Sequence, residues 1–413
     1  MLTSISFFRP KVAAVISSVL MAACGGGDSA TPPVGGLTLD PGDGQVTVSW
    51  AATAGVEYWL GYLAASSVSL ASGSPHTWVT NVSSPYTVTG LTNGTTYSFA
   101  MNGRTNGGPG GASTASVSTV PRTGGVTWTA GSATGTANLR SVAYGTASDA
   151  TVNYVAVGDG GAMYRGTTGA AWTTVTTGPT INFRAALYTL SKFIAAGAGG
   201  NIYYSTDIAT WTAATSNTTS NINALASNGT TAVAVGDGGT IRYSTDGITW
   251  TAAASVPTTN NLNGVTYAAS GLWIAVGASG TLLTSTDGST WTAQTSNTTA
   301  NLNSVTKLVS TTLSTTGYTY VAVGANGTVL KSFDGATWTS ATSGTTNELT
   351  AVVVPSTNSQ FLAVGAMGTV MTSPDGITWT TQSSGTSANL LGMITAQVQY
   401  VAVGAGGVNI NSH

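Results

Sequence analysis

From Leu37 to Arg122 apolar and polar residues alternate in short runs, and turn-forming residues break the runs apart. The clearest is Gln45-Val46-Thr47-Val48-Ser49-Trp50, where a period of two sets Val46, Val48 and Trp50 on one face, as a half-buried strand requires. A second anchor runs from Gly90-Leu91-Thr92-Asn93-Gly94 through Thr95-Thr96 into Tyr97-Ser98-Phe99-Ala100-Met101. The pattern predicts a β-sandwich over residues 36–122.

From Gly125 to His413 the alternation repeats as a unit. The most regular copy reads Asn261-Leu262-Asn263-Gly264-Val265, Ile274-Ala275-Val276-Gly277, a Gly-rich turn, Leu282-Leu283-Thr284, and Ser285 to Thr292. Strand-end glycines fall at Gly158, Gly197, Gly236, Gly277, Gly324, Gly365 and Gly404, 39 to 47 residues apart. That period suits a four-stranded propeller blade and exceeds the coil of a β-helix. Trp172, Trp211, Trp250, Trp291, Trp338 and Trp379 each end a unit, whereas the seventh stops at Asn411-Ser412-His413. Trp128 stands alone at the other end, so Gly125-Val126-Thr127-Trp128-Thr129 is expected to supply the outermost strand of the last blade and leave no free edge. The predicted fold is all-β: a sandwich followed by a seven-bladed β-propeller over residues 125–413, closed by an N-terminal outer strand.

Composition narrows the setting. Only 6% of the 413 residues are charged and 54 are glycine, so solubility rests on Ser, Thr and Asn. A net charge of -2 without any Lys/Arg cluster removes the electrostatic attraction that dominates nucleic-acid binding, and speaks against DNA and RNA. The single cysteine, Cys24, excludes an intrachain disulfide and a cysteine-based metal cage. Before it lie Arg9 and Lys11, an apolar stretch from Val12 to Met21 too short to span a bilayer, and Ala22-Ala23. Residues 1–23 read as a signal peptide and 24–35 as a tether containing Pro32-Pro33. Leu20-Met21-Ala22-Ala23-Cys24 resembles the lipobox of bacterial lipoproteins. The resemblance implies lipidation of Cys24 and a membrane anchor, with Gly25 favouring the outer membrane. An ordinary secretory signal with an incidental cysteine is the alternative.

Within 36–122, Trp50 and Tyr97 match the buried strand-B tryptophan and the corner tyrosine of fibronectin type III domains, which this segment resembles. Asn106-Gly107-Gly108-Pro109-Gly110 fits that family's F to G loop. In the repeats, Ser-x-Asp-Gly-x-Thr-Trp recurs at Ser244–Trp250, Ser285–Trp291, Ser332–Trp338 and Ser373–Trp379, with a degenerate copy at Ser205–Trp211. It resembles the Asp-box (BNR repeat) of sialidase-type propellers, although the usual box has one residue between its Asp and Gly. Asp246, Asp287, Asp334 and Asp375 are read as turn formers that accept backbone N–H bonds while the next glycine takes a positive φ. Four equivalent turns around a ring cannot converge on one substrate, and each lacks the oxygen density of a calcium loop.

The opposite face is therefore the place to seek variable side chains. There the third position of the Asn-Leu-x-Ser-Val segment is occupied by Arg140, Arg184, Asn223, Asn263, Asn303, Thr350 and Leu391, with Asp159 and Asp237 on the same rim. Two adjacent arginines beside an arc of asparagines suit a carboxylate, a sulfate or a sugar acid. The competing reading is that these side chains solvate the channel mouth and bond to its carbonyls. Repeated Val-Ala-Val-Gly-x-x-Gly-x-x-x-x-Ser-x-Asp-Gly-x-Thr-Trp blades resemble the propellers of photosystem II stability/assembly factors and their bacterial relatives. That resemblance implies a protein-binding platform with a basic patch onto which Arg140 and Arg184 map.

Catalysis finds little material. Outside the Asp-boxes the propeller has four acids, Asp149, Asp159, Asp237 and Glu348, and four arginines, Arg140, Arg165, Arg184 and Arg242. A sialidase-like site needs more, and His76 and His413 are too remote for a serine triad or a metal site. The sequence points to a non-catalytic binding or scaffolding lipoprotein with a protein or glycan ligand, no cofactor and no metal. A glycoside hydrolase or lyase of the Asp-box type is the rival.

Overall fold

The computed structural model describes residues 28–412 except 43, 123, 133, 269, 311–316, 356–359 and 397–398. The expected signal peptide and Cys24 lie outside the described residues. The chain is all-β, and its helical content among the described residues consists of seven one-turn 3-10 turns. Two compact units are present, one formed mainly by Thr47–Thr87 and Thr96–Thr119, the other by Val120–His413 together with Asp40–Val46 and Val88–Thr95.

The N-terminal strands form two sheets. Thr38–Gly42, Gln45–Ser49 and Tyr86–Thr89 make a three-stranded sheet; Glu57–Leu63, Thr77–Val82, Tyr97–Arg104, Val117–Thr119 and Ser29–Ala30 make a five-stranded one. Val46 and Val48 are fully buried, as are Leu60, Phe99 and Met101. Trp50 meets Tyr58 edge to face at 5.7 Å, the geometry that aromatic quadrupoles favour. Within the stretch 24–35, expected as a tether, Ser29–Ala30 is a short strand paired with Gly103 and Arg104. Two small residues carry no alternation to read, but their backbone groups satisfy an otherwise open sheet edge.

From Thr129 onward the described residues form seven four-stranded antiparallel sheets in chain order. Their first strands are Leu139–Thr146, Phe183–Thr189, Ile222–Ser227, Leu262–Ala268, Leu302–Ser310, Leu349–Val353 and Leu390–Ala396. Each first strand packs on that of the next sheet, and Leu390–Ala396 packs on Leu139–Thr146. The seventh sheet draws its outer strand from upstream, with Ile410 opposite Ala130 and Asn411 opposite Thr129.

The second strands are continuous apolar runs because both of their faces meet neighbouring sheets. Val233-Ala234-Val235, Ile274-Ala275-Val276 and Val401-Ala402-Val403 are fully buried. The repeated tryptophans fill the spaces between sheets: Trp291 packs with Val233, Val235 and Ile241 of the preceding sheet, and Trp338 with Ile274, Val276 and Leu282. Trp128 occupies the same place for the seventh sheet, against Leu362, Val364 and Val370. The indole N–H of Trp128 donates to the Gly125 carbonyl, as Trp291 does to Gly288 and Trp338 to Gly335. The glycine ending each second strand is required by close approach: a Cβ on Gly158 would lie 2.0 Å from the Asn138 carbonyl oxygen.

Candidate functional site

Past its glycine, each second strand enters a one-turn 3-10 turn, beginning with Asp159–Gly161 in the first sheet and Asp237–Gly239 in the third. The first N–H of the turn donates to the carbonyl just before the inner strand of the same blade, Asp159 to Asn138 at 2.9 Å and Asp237 to Asn221 at 3.0 Å. The middle N–H crosses to the next blade. Gly160 donates to Asn182 Oδ1 at 2.7 Å, Gly199 to Asn221 at 2.9 Å, Gly238 to Asn261 at 2.9 Å, Ser279 to Asn301 at 3.0 Å and Met367 to Asn389 at 2.9 Å. Gly406 of the last blade donates to Asn138 Oδ1 of the first at 3.1 Å. This asparagine belt is absent from the sequence reading, yet its signal is there. An asparagine precedes the first apolar residue of six inner strands, at Asn138, Asn182, Asn221, Asn261, Asn301 and Asn389, with Glu348 in the remaining one.

Two residues further on lie the expected rim positions, and they form a second belt. Asn223 Nδ2 donates to the Leu262 carbonyl at 2.9 Å, Asn263 to Leu302 at 3.0 Å, Asn303 to Leu349 at 2.9 Å, and Thr350 Oγ1 to Leu390 at 2.7 Å. Each bond ties one inner strand to a carbonyl on the neighbouring inner strand. The series then stops. Leu391 has no donor, and Arg140 and Arg184 turn their guanidinium groups to side chains instead.

Where the belt breaks, the charged residues gather. Arg140 grips Asp159 with two parallel bonds, Nε to Oδ1 at 2.5 Å and Nη2 to Oδ2 at 2.9 Å, and Asn138 Nδ2 adds a third at 3.0 Å. Arg184 Nη1 donates to Asn223 Oδ1 at 2.7 Å, while Asn223 Nδ2 and Asn221 Nδ2 donate to the two oxygens of Asp237, each at 2.8 Å. Asn223 therefore links the second arginine to the second aspartate. The hydrogen bond from Arg140 holds the Asp159 carboxyl below its ordinary range against partial burial, with help from Asn138 and the charges of Arg140 and Arg184. Thus Arg140, Asp159, Arg184, Asn223 and Asp237 share one arc over three blades. Asn263 and Asn303 lie further round and bond to backbone, and Asn303 also donates to Glu348 Oε1 at 3.0 Å.

The chemistry available to this arc is anion recognition. Arg140 is committed to Asp159, whereas Arg184 makes a single side-chain hydrogen bond, to Asn223. Asp159 stays ionised at neutral pH, so it cannot give up a proton as a general acid.

In the Ser-x-Asp-Gly-x-Thr-Trp turns, Asp246 Oδ1 accepts the N–H groups of Ile248 and Thr249 at 2.7 and 2.8 Å, and Asp287 and Asp334 repeat this with Ser289–Thr290 and Ala336–Thr337. Asp375 does the same with Ile377 and Thr378. The preceding serines donate to these carboxylates, Ser244 to Asp246 at 2.9 Å among them. The N–H of Thr337 is the main influence that holds Asp334 down at about 2. In the degenerate copy Ile208 stands where the other boxes have glycine. It keeps a φ of 64°, and its side chain is fully buried against the first blade beside Val155. Among the described residues no cluster of three His, Cys, Asp or Glu side chains is placed to hold a metal ion.

No family model and no curated protein matches this sequence. Solved structures do resemble its fold. YCF48 bound to D1 peptide superposes with a TM-score of 0.55 at 15% identity over 69% of this chain and 94% of that one. YCF48 from Cyanidioschyzon merolae gives 0.54 at 17% identity, over 69% of this chain and 98% of that one. The WD40 β-propeller domain of Doa1 gives 0.53 at 9% identity, over 70% and 97%. At these identities the likeness is one of fold, and the fold is a β-propeller.

Proposed function

We propose that the chain is an envelope lipoprotein whose propeller acts as a non-catalytic, protein-binding scaffold through the channel-mouth face at Arg140 and Arg184. The observation that carries the reading is the interruption of the rim belt. Four side chains seal the inner edge from Asn223 to Thr350, and the belt is broken where Arg184 offers spare donors beside Asp159 and Asp237. One propeller of similar fold is bound to a peptide, and a peptide carboxylate or acidic side chain fits the Arg184 fork. We read the seven sheets as one ring closed by the outer strand at Thr129–Ala130, which the pairing with Ile410 and Asn411 supports. The N-terminal sheets fit a fibronectin type III spacer: Trp50 is buried against Tyr58, and the strand order matches the family's split between a three-stranded sheet and a larger one. Lipidation of Cys24 and outer-membrane attachment complete the proposal.

A photo-crosslinking amino acid placed at Asn263 on the rim, and another at Ile377 in an Asp-box turn, tests the scaffold reading in cells. A discrete protein adduct from Asn263 that Arg184→Ala removes, with none from Ile377, is the expected result. Adducts from neither site, or equally from both, would sink it. Metabolic fatty-acid labelling lost on Cys24→Ala tests the anchor separately.

A further inference from the structure

The larger N-terminal sheet carries a concavity that the propeller reading does not use. It is a cavity of about 1320 Å³, bounded by the strands that hold Trp59, Trp78 and Arg104 and by loops 68–74 and 110–116. Its floor is aromatic. Trp59 and Trp78 meet at 5.9 Å with planes 72° apart, and His76 meets Trp78 at 4.6 Å and 87°. Trp78 lines the cavity and is 37% exposed.

Against this floor lies a buried cation. Arg104 is only 6% exposed, and its guanidinium carbon sits 3.4 Å from the centroid of the Trp59 ring. Nη2 reaches Asn102 Oδ1 at a long 3.4 Å, and Nε is buried with no hydrogen-bond partner. Glu57 is opposite Arg104 in register, yet no ion pair joins the two. Removing a charge from water without a directly bonded anion is costly even with Glu57 nearby, and natural chains retain such groups where something else completes them. Stacking on Trp59 fixes the guanidinium plane; it supplies no hydrogen bond.

The walls identify the class of ligand. Short hydroxyl side chains, Ser69, Ser72, Ser74, Ser113 and Ser116, surround the aromatic floor. Such a ring suits a molecule with an apolar C–H face and many hydroxyl groups, in other words a pyranose. We propose that this cavity binds a sugar that carries a carboxylate. Arg104 Nε and Nη2 receive the carboxylate as a fork, Trp78 is the plate under the ring, and Trp59 is a positioning residue that holds Arg104. The site is separate from the rim of the propeller and does not rest on it.

The test uses the full-length chain and isothermal titration calorimetry. The probes are the trimers of galacturonate, glucuronate and mannuronate, free N-acetylneuraminate, their carboxyl-reduced neutral counterparts, and a Glu hexapeptide. At least one acidic sugar is expected to bind with a measurable heat, with its neutral counterpart weaker by about tenfold or more, the value of one lost charge-assisted fork. Trp78→Ala and Arg104→Gln each remove about as much, and Arg184→Ala changes nothing. Trp78 lies partly in solvent, so Trp78→Ala reads the site even if Arg104→Gln proves unable to fold. No response to any acidic sugar up to about 10 mM, equal affinity for acid and neutral forms, or tighter binding of the Glu hexapeptide would overturn the proposal.

Discussion

Asn138 and Gly406, 268 residues apart in sequence, are joined by a hydrogen bond between the first and last sheets: the Gly406 N–H donates to Asn138 Oδ1 at 3.1 Å. The same asparagine donates through Nδ2 to Asp159, so one side chain fastens the ends of the repeat and supports the charged arc. Asn138→Ala leaves both groups short of a partner, at an expected cost of about 1–3 kcal/mol. Urea unfolding measures it. A loss no greater than that of an exposed loop substitution such as Thr230→Ala would show that the bond does not hold the first and last sheets together.

The aspartates of the Ser-x-Asp-Gly-x-Thr-Trp turns make part of the propeller's stability depend on acid pH. Asp334 is held at about 2 by the N–H of Thr337 foremost, with Ala336 and Ser332 adding to it against desolvation. An unfolded aspartate titrates near 3.9. A folded value depressed below the unfolded one contributes stability that is present above about pH 4 and is lost as the pH falls through about 2. Asp334→Asn should therefore melt below the parent at pH 6, with the gap closing as the pH drops from 4 to 2. A gap that stays constant over that window contradicts the assignment.

The four-stranded repeat was legible in sequence because its marks are local. Gly158 and its counterparts answer a backbone clash inside one blade, and Asp287 bonds two and three residues ahead of itself. The roles of Asn223, Asn263 and Asn303 were only half legible, since each bonds to a carbonyl 39 to 46 residues away, on a different blade. The Asn138 series was missed for the same reason: its partner is a backbone N–H, which has no letter in the sequence. The cavity beside Arg104 was invisible because loops 68–74 and 110–116 carry no periodicity, and only folding brings them to Trp59 and Trp78.

Arg140 and Arg184 look alike in sequence and should separate cleanly in experiment. Arg140→Ala strips Asp159 of its principal partner and raises that carboxyl, so stability is expected to fall by about 1–2 kcal/mol at neutral pH. Arg184→Ala loses one bond to Asn223, which still has Asp237 and the Leu262 carbonyl, so the expected cost is about 0.5 kcal/mol. Ligand binding should respond in the reverse order, with Arg184→Ala the more severe. Denaturant titrations beside the crosslinking yield of each variant provide the comparison, and equal effects on both measures would remove Arg184 from the binding role.

The middle residue of each 3-10 turn offers a test of backbone strain with little packing in the way. That position is left-handed in every blade, and it holds Gly160, Gly199, Gly238 and Gly406 in four of them. Met367 adopts the same conformation at φ 54° while 69% exposed, so it contributes little burial in return for a conformation that costs an L-residue about 1–2 kcal/mol. Glycine at this site relieves that cost and gives back about 0.5–1 kcal/mol through the freer unfolded chain, so Met367→Gly should stabilise by about 0.5 kcal/mol. Asn326 sits at φ 55° with a side chain that tolerates this region, so Asn326→Gly should be close to neutral. The reverse change makes the argument two-sided: a Cβ on Gly160 meets nothing within 4 Å, so Gly160→Ala isolates the backbone term at about 1 kcal/mol. By contrast Gly161→Ala adds a clash at 2.5 Å with the Pro179 carbonyl oxygen and should cost more. Urea midpoints of the four variants decide it, and a destabilised Met367→Gly would mean that the methionine side chain has a packing role outweighing the strain of its backbone.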